Sequence, residues 1–161
     1  MHPRKELVFD ELVPKHYKRV YGTLLKITGN SDDAKDLTQE TFVKAFIMRG
    51  SFRGDSDPGT WLIAIALNHA TDFFRKKKRI EWSEIDDDQA LAEEPDADRN
   101  LTVHRIMERL HPLDRLILAK HYLQDMPHKQ IASEMGISVA AVKMRLARAK
   151  DRFALLYGER N

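Results

Sequence analysis

The 161-residue chain contains no cysteine, which excludes a disulfide framework and any thiolate metal site, zinc fingers included. No apolar run approaches the roughly 18 residues needed to cross a bilayer, and the start, MHPRKELVFDELV, lacks the apolar core of a signal peptide. No stretch alternates apolar and polar residues as a half-buried strand would, and no glycine-rich hairpin is present, so an all-α fold is expected. There is no phosphate-cradling glycine loop, and the seven histidines show no tight ligand spacing. Neither a metal nor a cofactor is therefore expected. These absences point to a soluble protein of a reducing cytoplasm with no membrane insertion.

What the sequence does contain is charge sorted by segment. Residues 1–80 carry 15 Lys/Arg against 10 Asp/Glu, residues 81–100 carry 1 against 9, and residues 101–161 carry 11 against 6. Two basic blocks thus flank an acidic one, as expected of two units that grip a polyanion. The 42 % apolar content is divided by the acidic stretch, so two small helical domains are expected, at 1–79 and 101–161. Between them, residues 80–100 form an acidic linker in which periodicity fades and Pro95 interrupts. Charge leaves two readings of that linker open, a solvating tether and a strand that fills a basic channel elsewhere.

In the first block, Phe9, Leu12, Val13, Tyr17, Val20, Tyr21, Leu24 and Leu25 recur at helical spacing until Gly29-Asn30 stops the helix and Ser31 caps the next. From Asp32 to about Met48, Ala34, Leu37, Phe42, Ala45 and Phe46 share one arc, while Asp36, Gln39, Glu40, Val43 and Ile47 share the other. A merely solvated face does not need Val43 and Ile47. The outer face therefore reads as a protein-docking surface, the alternative being that these two side chains pack at home.

SFRGDSDPG at 51–59 is a loop by composition, and Asp57-Pro58 supplies a cap followed by a first-turn proline. A third helix then runs from Thr60 to Arg79. Ile63, Leu67, Ala70 and Phe74 form its buried stripe, and Trp61, Ile65, Asn68, Asp72 and Arg75 line another face. Its end carries five consecutive cations, Arg75, Lys76, Lys77, Lys78 and Arg79. Such a run releases condensed counterions on binding DNA, with a log–log salt slope of about −0.9 per phosphate neutralised. A single cation there would merely complement the helix dipole.

In the second block, helical pattern resumes at Leu101 with Val103, Ile106, Met107 and Leu110, and Pro112 opens a helix over Leu113 to Leu123. Leu116, Ile117, Ala119, Lys120 and Leu123 are placed to pack against a helix-turn-helix that runs from His128 to Lys150. Ile131, Ala132 and Met135 face inward, Gly136 takes the turn and Ser138 caps the second helix. On that helix Val142, Leu146, Ala149 and Phe153 also face inward. The opposite face presents Lys143, Arg145, Arg148 and Lys150, so this block reads as a duplex-DNA reader.

The segments DDAKDLTQETFVKAF (32–46), FRGDSDPGTWLIAIALNHATDFFRKKKR (52–79) and LHPLDRLILAKHYLQDMPHKQIASEMGISVAAVKMRLARAKDRF (110–153) together resemble the extracytoplasmic-function sigma factors. These bacterial transcription-initiation subunits consist of two helical domains, region two and region four, joined by a linker. The resemblance implies a three-helix region two, a four-helix region four, and docking on the clamp and flap of core RNA polymerase. Asp36, Gln39 and Glu40 match the clamp-docking helix. Loop residues Phe52, Arg53 and on to Asp57, with Trp61, Asn68, Asp72 and Arg75, match the part that captures an unpaired non-template base near the start site. An asparagine amide offers donor and acceptor to a base edge, and an aromatic face stacks on an extruded base for about 1–3 kcal/mol. Trp61 also has the ordinary reading of a core residue.

In region four, the resemblance implies that Lys143, Met144, Ala147 and Arg148 look into the major groove, with Ser138 and Arg145 placed for phosphates. A cation paired with guanine O6 and N7 discriminates by about 1–3 kcal/mol, and Met144 and Ala147 touch thymine methyls. The chain departs from many relatives at Leu67, where they carry a base just before Asn68. Nothing follows Asn161, so the regulatory C-terminal extensions of some relatives are expected to be absent. The acidic linker, with Asp86, Asp87, Asp88, Glu93 and Glu94, corresponds to a segment that threads toward the RNA exit channel. An anti-sigma protein is a further implied partner. Two other functions are weighed against this one. An autonomous helix-turn-helix regulator accounts for the second block only, and a nuclease would need Asp32 with Asp36, Asp86 to Asp88, or His104 with His111 to act as a catalytic set.

Overall fold

The computed structural model describes residues 7–81 and 109–158. Among them every regular element is helical: α1 (Phe9–Thr28), α2 (Ser31–Ile47), one 3-10 turn (Arg49–Ser51), α3 (Pro58–Glu81), α4 (Pro112–Leu123), α5 (His128–Met135) and α6 (Val139–Gly158). The expected linker beyond residue 81 and the expected helix from Leu101 lie outside the described residues. The chain forms two compact units, Met1–Ala70 and Thr71–Asn161.

In the first unit α1 ends at Gly29, whose φ of 67° is the left-handed conformation that favours glycine, and its N–H reaches the Leu25 carbonyl at 2.8 Å. The cap of α2 is Asn30, not Ser31 as expected. Asn30 is extended, and its Oδ1 accepts from the Asp32 and Asp33 N–H groups, both at 3.0 Å. One short amide satisfies two orphan donors, so the chain is already helical at Ser31. The two-residue turn folds α2 back along α1, and each presents a buried stripe: Leu12, His16, Val20, Leu24 and Ile27 on α1, and Ala34, Leu37, Thr38, Thr41, Phe42 and Ala45 on α2. Thr38 and Thr41 donate to the carbonyls of Ala34 and Leu37 at 2.6 and 2.7 Å, which keeps buried hydroxyls satisfied.

Phe46, expected on the inner arc, is 49 % exposed. It follows Ala45 by about 100° around the helix, beyond the edge of the buried stripe. There it meets Phe9 edge-on at 5.3 Å and carries the Arg49 guanidinium at 4.1 Å from its ring centre. Helix α3 buries Leu62, Ile63, Ala66, Leu67 and Ala70, and also Ile65, which had been expected on the outer face. Leu67 is fully buried, so the apolar residue before Asn68 has a packing role.

In the second unit Pro112 occupies the first turn of α4, and the His111 imidazole accepts from the Leu113 N–H at 3.1 Å. Leu116, Ile117 and Lys120 are buried as expected, but Leu123, the last residue of α4, is 58 % exposed. Gly136 closes α5 at φ 69°, donating to the Ala132 carbonyl, and Ser138 Oγ accepts the Ala141 N–H at 3.0 Å. Val142, Leu146 and Ala149 then face inward at i, i+4 and i+7. The Phe153 side chain lies outside the described residues.

Candidate functional site

Three sets of exposed residues emerge, on α2, on the loop before α3 with one face of α3, and on α6. On α2, Asp36, Gln39, Glu40, Val43 and Ile47 all lie on the exposed face, with Val43 and Ile47 61 % and 68 % exposed. With Lys44 and with His69 of α3 they line a shallow groove of about 450 Å³. His69 Nδ1 stands 3.7 Å from Glu40 Oε2, closing one wall. Aliphatic side chains rimmed by acids form a site for a partner helix that is apolar at its centre and basic at its edge. The sequence named five of these residues and missed His69, since nothing local reveals that α3 passes beside Glu40.

The loop before α3 is built from both ends. Phe52, expected to face DNA, is only 5 % exposed, and its ring lies 5.2 Å from that of the half-buried Trp61. The two rings anchor the loop and leave Arg53 to Asp57 exposed. Beyond Trp61, Asn68, Asp72, Arg75, Lys76 and Lys77 are exposed, and Lys77 Nζ sits 4.9 Å from the Phe73 ring centre. The side chains of Lys78 and Arg79 lie outside the described residues.

On α6 the exposed face carries Lys143, Met144, Ala147, Arg148 and Lys150, with Met144 44 % exposed. Ser138 is committed to its cap, and a hydroxyl has lone-pair and proton capacity left for a phosphate. Arg145, expected at a phosphate, donates through Nη1 to Asp114 Oδ1 at 2.9 Å. A second pair joins α4 to α5. Lys120 Nζ, fully buried, donates to Glu134 Oε2 at 2.7 Å, and Gln130 donates to Glu134 Oε1 at 3.2 Å. Neither pairing was foreseen from the sequence. Among the described residues no three His, Asp or Glu gather as a metal would require, and no helix is long and apolar enough to cross a membrane.

Comparison with known proteins bears on the family and the fold. The family described as sigma-70 region 2 matches residues 12–80, and that described as sigma-70 region 4 matches residues 100–153. The extracytoplasmic-function (ECF) RNA polymerase sigma factor SigM of Bacillus subtilis is 32 % identical over 161 residues, spanning 94 % of this chain and 96 % of its own length. RNA polymerase sigma factor CarQ of Myxococcus xanthus is 30 % identical over 160 residues, spanning 94 % and 90 %. ECF sigma factor SigE of Mycolicibacterium smegmatis is 29 % identical over 156 residues, and there the match spans 59 % of the relative's length. In fold, the chain is similar to the sigma factor RpoE of Bartonella quintana, solved with the anti-sigma factor NepR, at a TM-score of 0.56 and 20 % identity over 93 % of this chain and 96 % of that one. The chain belongs to the sigma-70 family as an ECF sigma factor, a class of promoter-specificity subunit for RNA polymerase. Matches to both regions along one chain set aside the autonomous regulator, which needs only the second.

Proposed function

We propose that the α2 groove docks the chain on the clamp of core RNA polymerase, with Val43 and Ile47 as the apolar centre and Asp36, Gln39 and Glu40 as the polar rim. The observation that carries this reading is the exposure of two large aliphatic side chains between acids on a helix whose other face is core. Arg53, Asn68, Asp72 and the cations Arg75 to Arg79 hold the upstream element near the start site and its unpaired strand. Extruding a base costs a few kcal/mol, offset by its capture and by polymerase contacts. Lys143, Met144, Ala147 and Arg148 read the second promoter element in the major groove, and region four meets the polymerase flap. The protein works in the cytoplasm, hydrolyses no nucleotide and needs no cofactor. An anti-sigma protein covers one or both units when transcription is off, and the acidic segment that follows α3, up to residue 100, serves as a linker toward the RNA exit channel.

Runoff transcription on a genomic library tests the reading. Core polymerase plus the chain should start at a discrete set of promoters, and neither component alone should. Failure of the chain to join core, or starts no more selective in its presence, overturns the proposal.

A further inference from the structure

The start of α3 lies close against α1 at Gly59. Gly59 is buried, and a Cβ placed on it would lie 2.4 Å from Arg19 Nη1, 2.8 Å from Asp57 Oδ2 and 3.0 Å from His16 Nδ1. An alanine there would push aside the ends of the Arg19 and Asp57 side chains, both more than half exposed and free to swing into solvent, and would crowd the buried His16 ring. Asp57 Oδ2 has two tasks: it caps α3 by accepting the Thr60 N–H at 3.3 Å, and it faces Arg19 Nη1 at 3.5 Å. Pro58, directly after Asp57, disfavours the helical conformation at that residue. His16, one turn before Arg19 on α1, is 8 % exposed and closes the underside. Loop Phe52–Asp57 is thus fastened twice: at its beginning by Phe52 on Trp61, and at its end by the clasp of His16 and Arg19 over Gly59. Between the fastenings Arg53, Asp55 and Ser56 remain exposed, and Gly54 turns the chain at φ 80°.

We infer that His16, Arg19 and Gly59 are positioning residues that hold this loop in the shape that receives an unpaired base. The inference rests on the strand-capture reading above and extends it to α1, a helix that reading leaves as core. A loop held at both ends has less freedom to lose when a base enters, so the clasp acts on capture of the melted strand and not on docking to core.

The test uses holoenzyme assembled from core polymerase and the full chain, and a single-stranded oligonucleotide with the non-template sequence of a promoter found by runoff. Arg19→Ala and Asp57→Ser should each weaken oligonucleotide binding about two- to fivefold, the span open to an exposed ion pair. Serine keeps the cap while removing the carboxylate. Gly59→Ala should weaken binding by a similar factor, because its methyl pushes the same two exposed side-chain ends apart, and Arg19→Lys should stay near the wild type. Affinity for core, and for duplex containing only the farther promoter element, should be unchanged in Arg19→Ala and Asp57→Ser. Those two variants decide the matter if Gly59→Ala does not fold. Oligonucleotide affinity equal to the wild type in both, or falling in step with core affinity, overturns the clasp alone. A wild-type chain that does not join core overturns the function reading, and the clasp with it.

Discussion

Arg145, in the middle of α6, is bonded to Asp114 at 2.9 Å across 31 positions of sequence, and the Asp114 side chain is only 8 % exposed. A carboxylate so nearly buried needs a charged partner, and the guanidinium that answers it fixes α6 against α4. Arg145→Ala should therefore act first on the fold of region four. Its cost is that of a stranded carboxylate, about 2–3 kcal/mol, and faster amide hydrogen exchange along α6 should report it. Duplex binding should weaken with little change in its salt slope, which a lost phosphate contact would lower by about one.

The second tie to α4 behaves asymmetrically. Lys120 has no solvent exposure, whereas its partner Glu134 keeps 32 % of its side chain in water. Glu134→Ala leaves an ammonium buried without a counter-charge and should cost about 3 kcal/mol. The double variant Lys120→Met/Glu134→Leu removes both charges and should melt at or above the wild-type temperature, since replacing a buried pair by packed apolar groups is commonly neutral or stabilising by about 1–4 kcal/mol. Thermal melting of the two variants side by side checks the ordering.

These pairs mark the boundary of what the chain discloses by itself. The cap at Ser138, the turn at Gly136 and the stripe Val142, Leu146 and Ala149 arise from contacts within four residues, so periodicity and residue type locate them. Lys120 with Glu134, Arg145 with Asp114, and His69 with Glu40 join different helices, and no local pattern encodes which side chains a packing angle brings together. Residues at the edge of a helical arc are ambiguous for a related reason. Phe46 and Ile65 each lie one step from a boundary, and a modest rotation of the helix decides which side becomes core. The α2 face was readable because Val43 and Ile47 interrupt a polar surface. Phe52 was misplaced because an aromatic residue in a loop looks equally suited to a base and to Trp61.

Asp125, in the turn after α4, has φ 48°, the one positive value at a non-glycine position among the described residues. Aspartate tolerates the left-handed region better than most residues, but its Cβ still crowds the following carbonyl. Asp125→Gly removes that crowding and frees the unfolded chain as well, so the net gain should be small, about 0.5–1 kcal/mol. Differential scanning calorimetry should show a melting temperature raised by a few degrees, with an unchanged circular dichroism spectrum.

Ile47 offers the sharpest separation between fold and docking. It is 68 % exposed at the end of α2, beside Val43 at 61 %, and neither belongs to the buried stripe that holds α2 to α1. Ile47→Asp adds charge where solvent already reaches, so stability should stay within about 0.5 kcal/mol of the wild type. On the polymerase the same carboxylate would be desolvated at the centre of an apolar contact, beside the existing acids Asp36 and Glu40. A loss of about 2 kcal/mol or more, roughly thirtyfold in affinity, is expected of a central anchor. Core binding measured by fluorescence anisotropy should fall by that factor. Binding of the isolated chain to duplex DNA, which the proposed function assigns to α6, should not change. Equal affinity for core in the variant and the wild type would move the docking surface off α2.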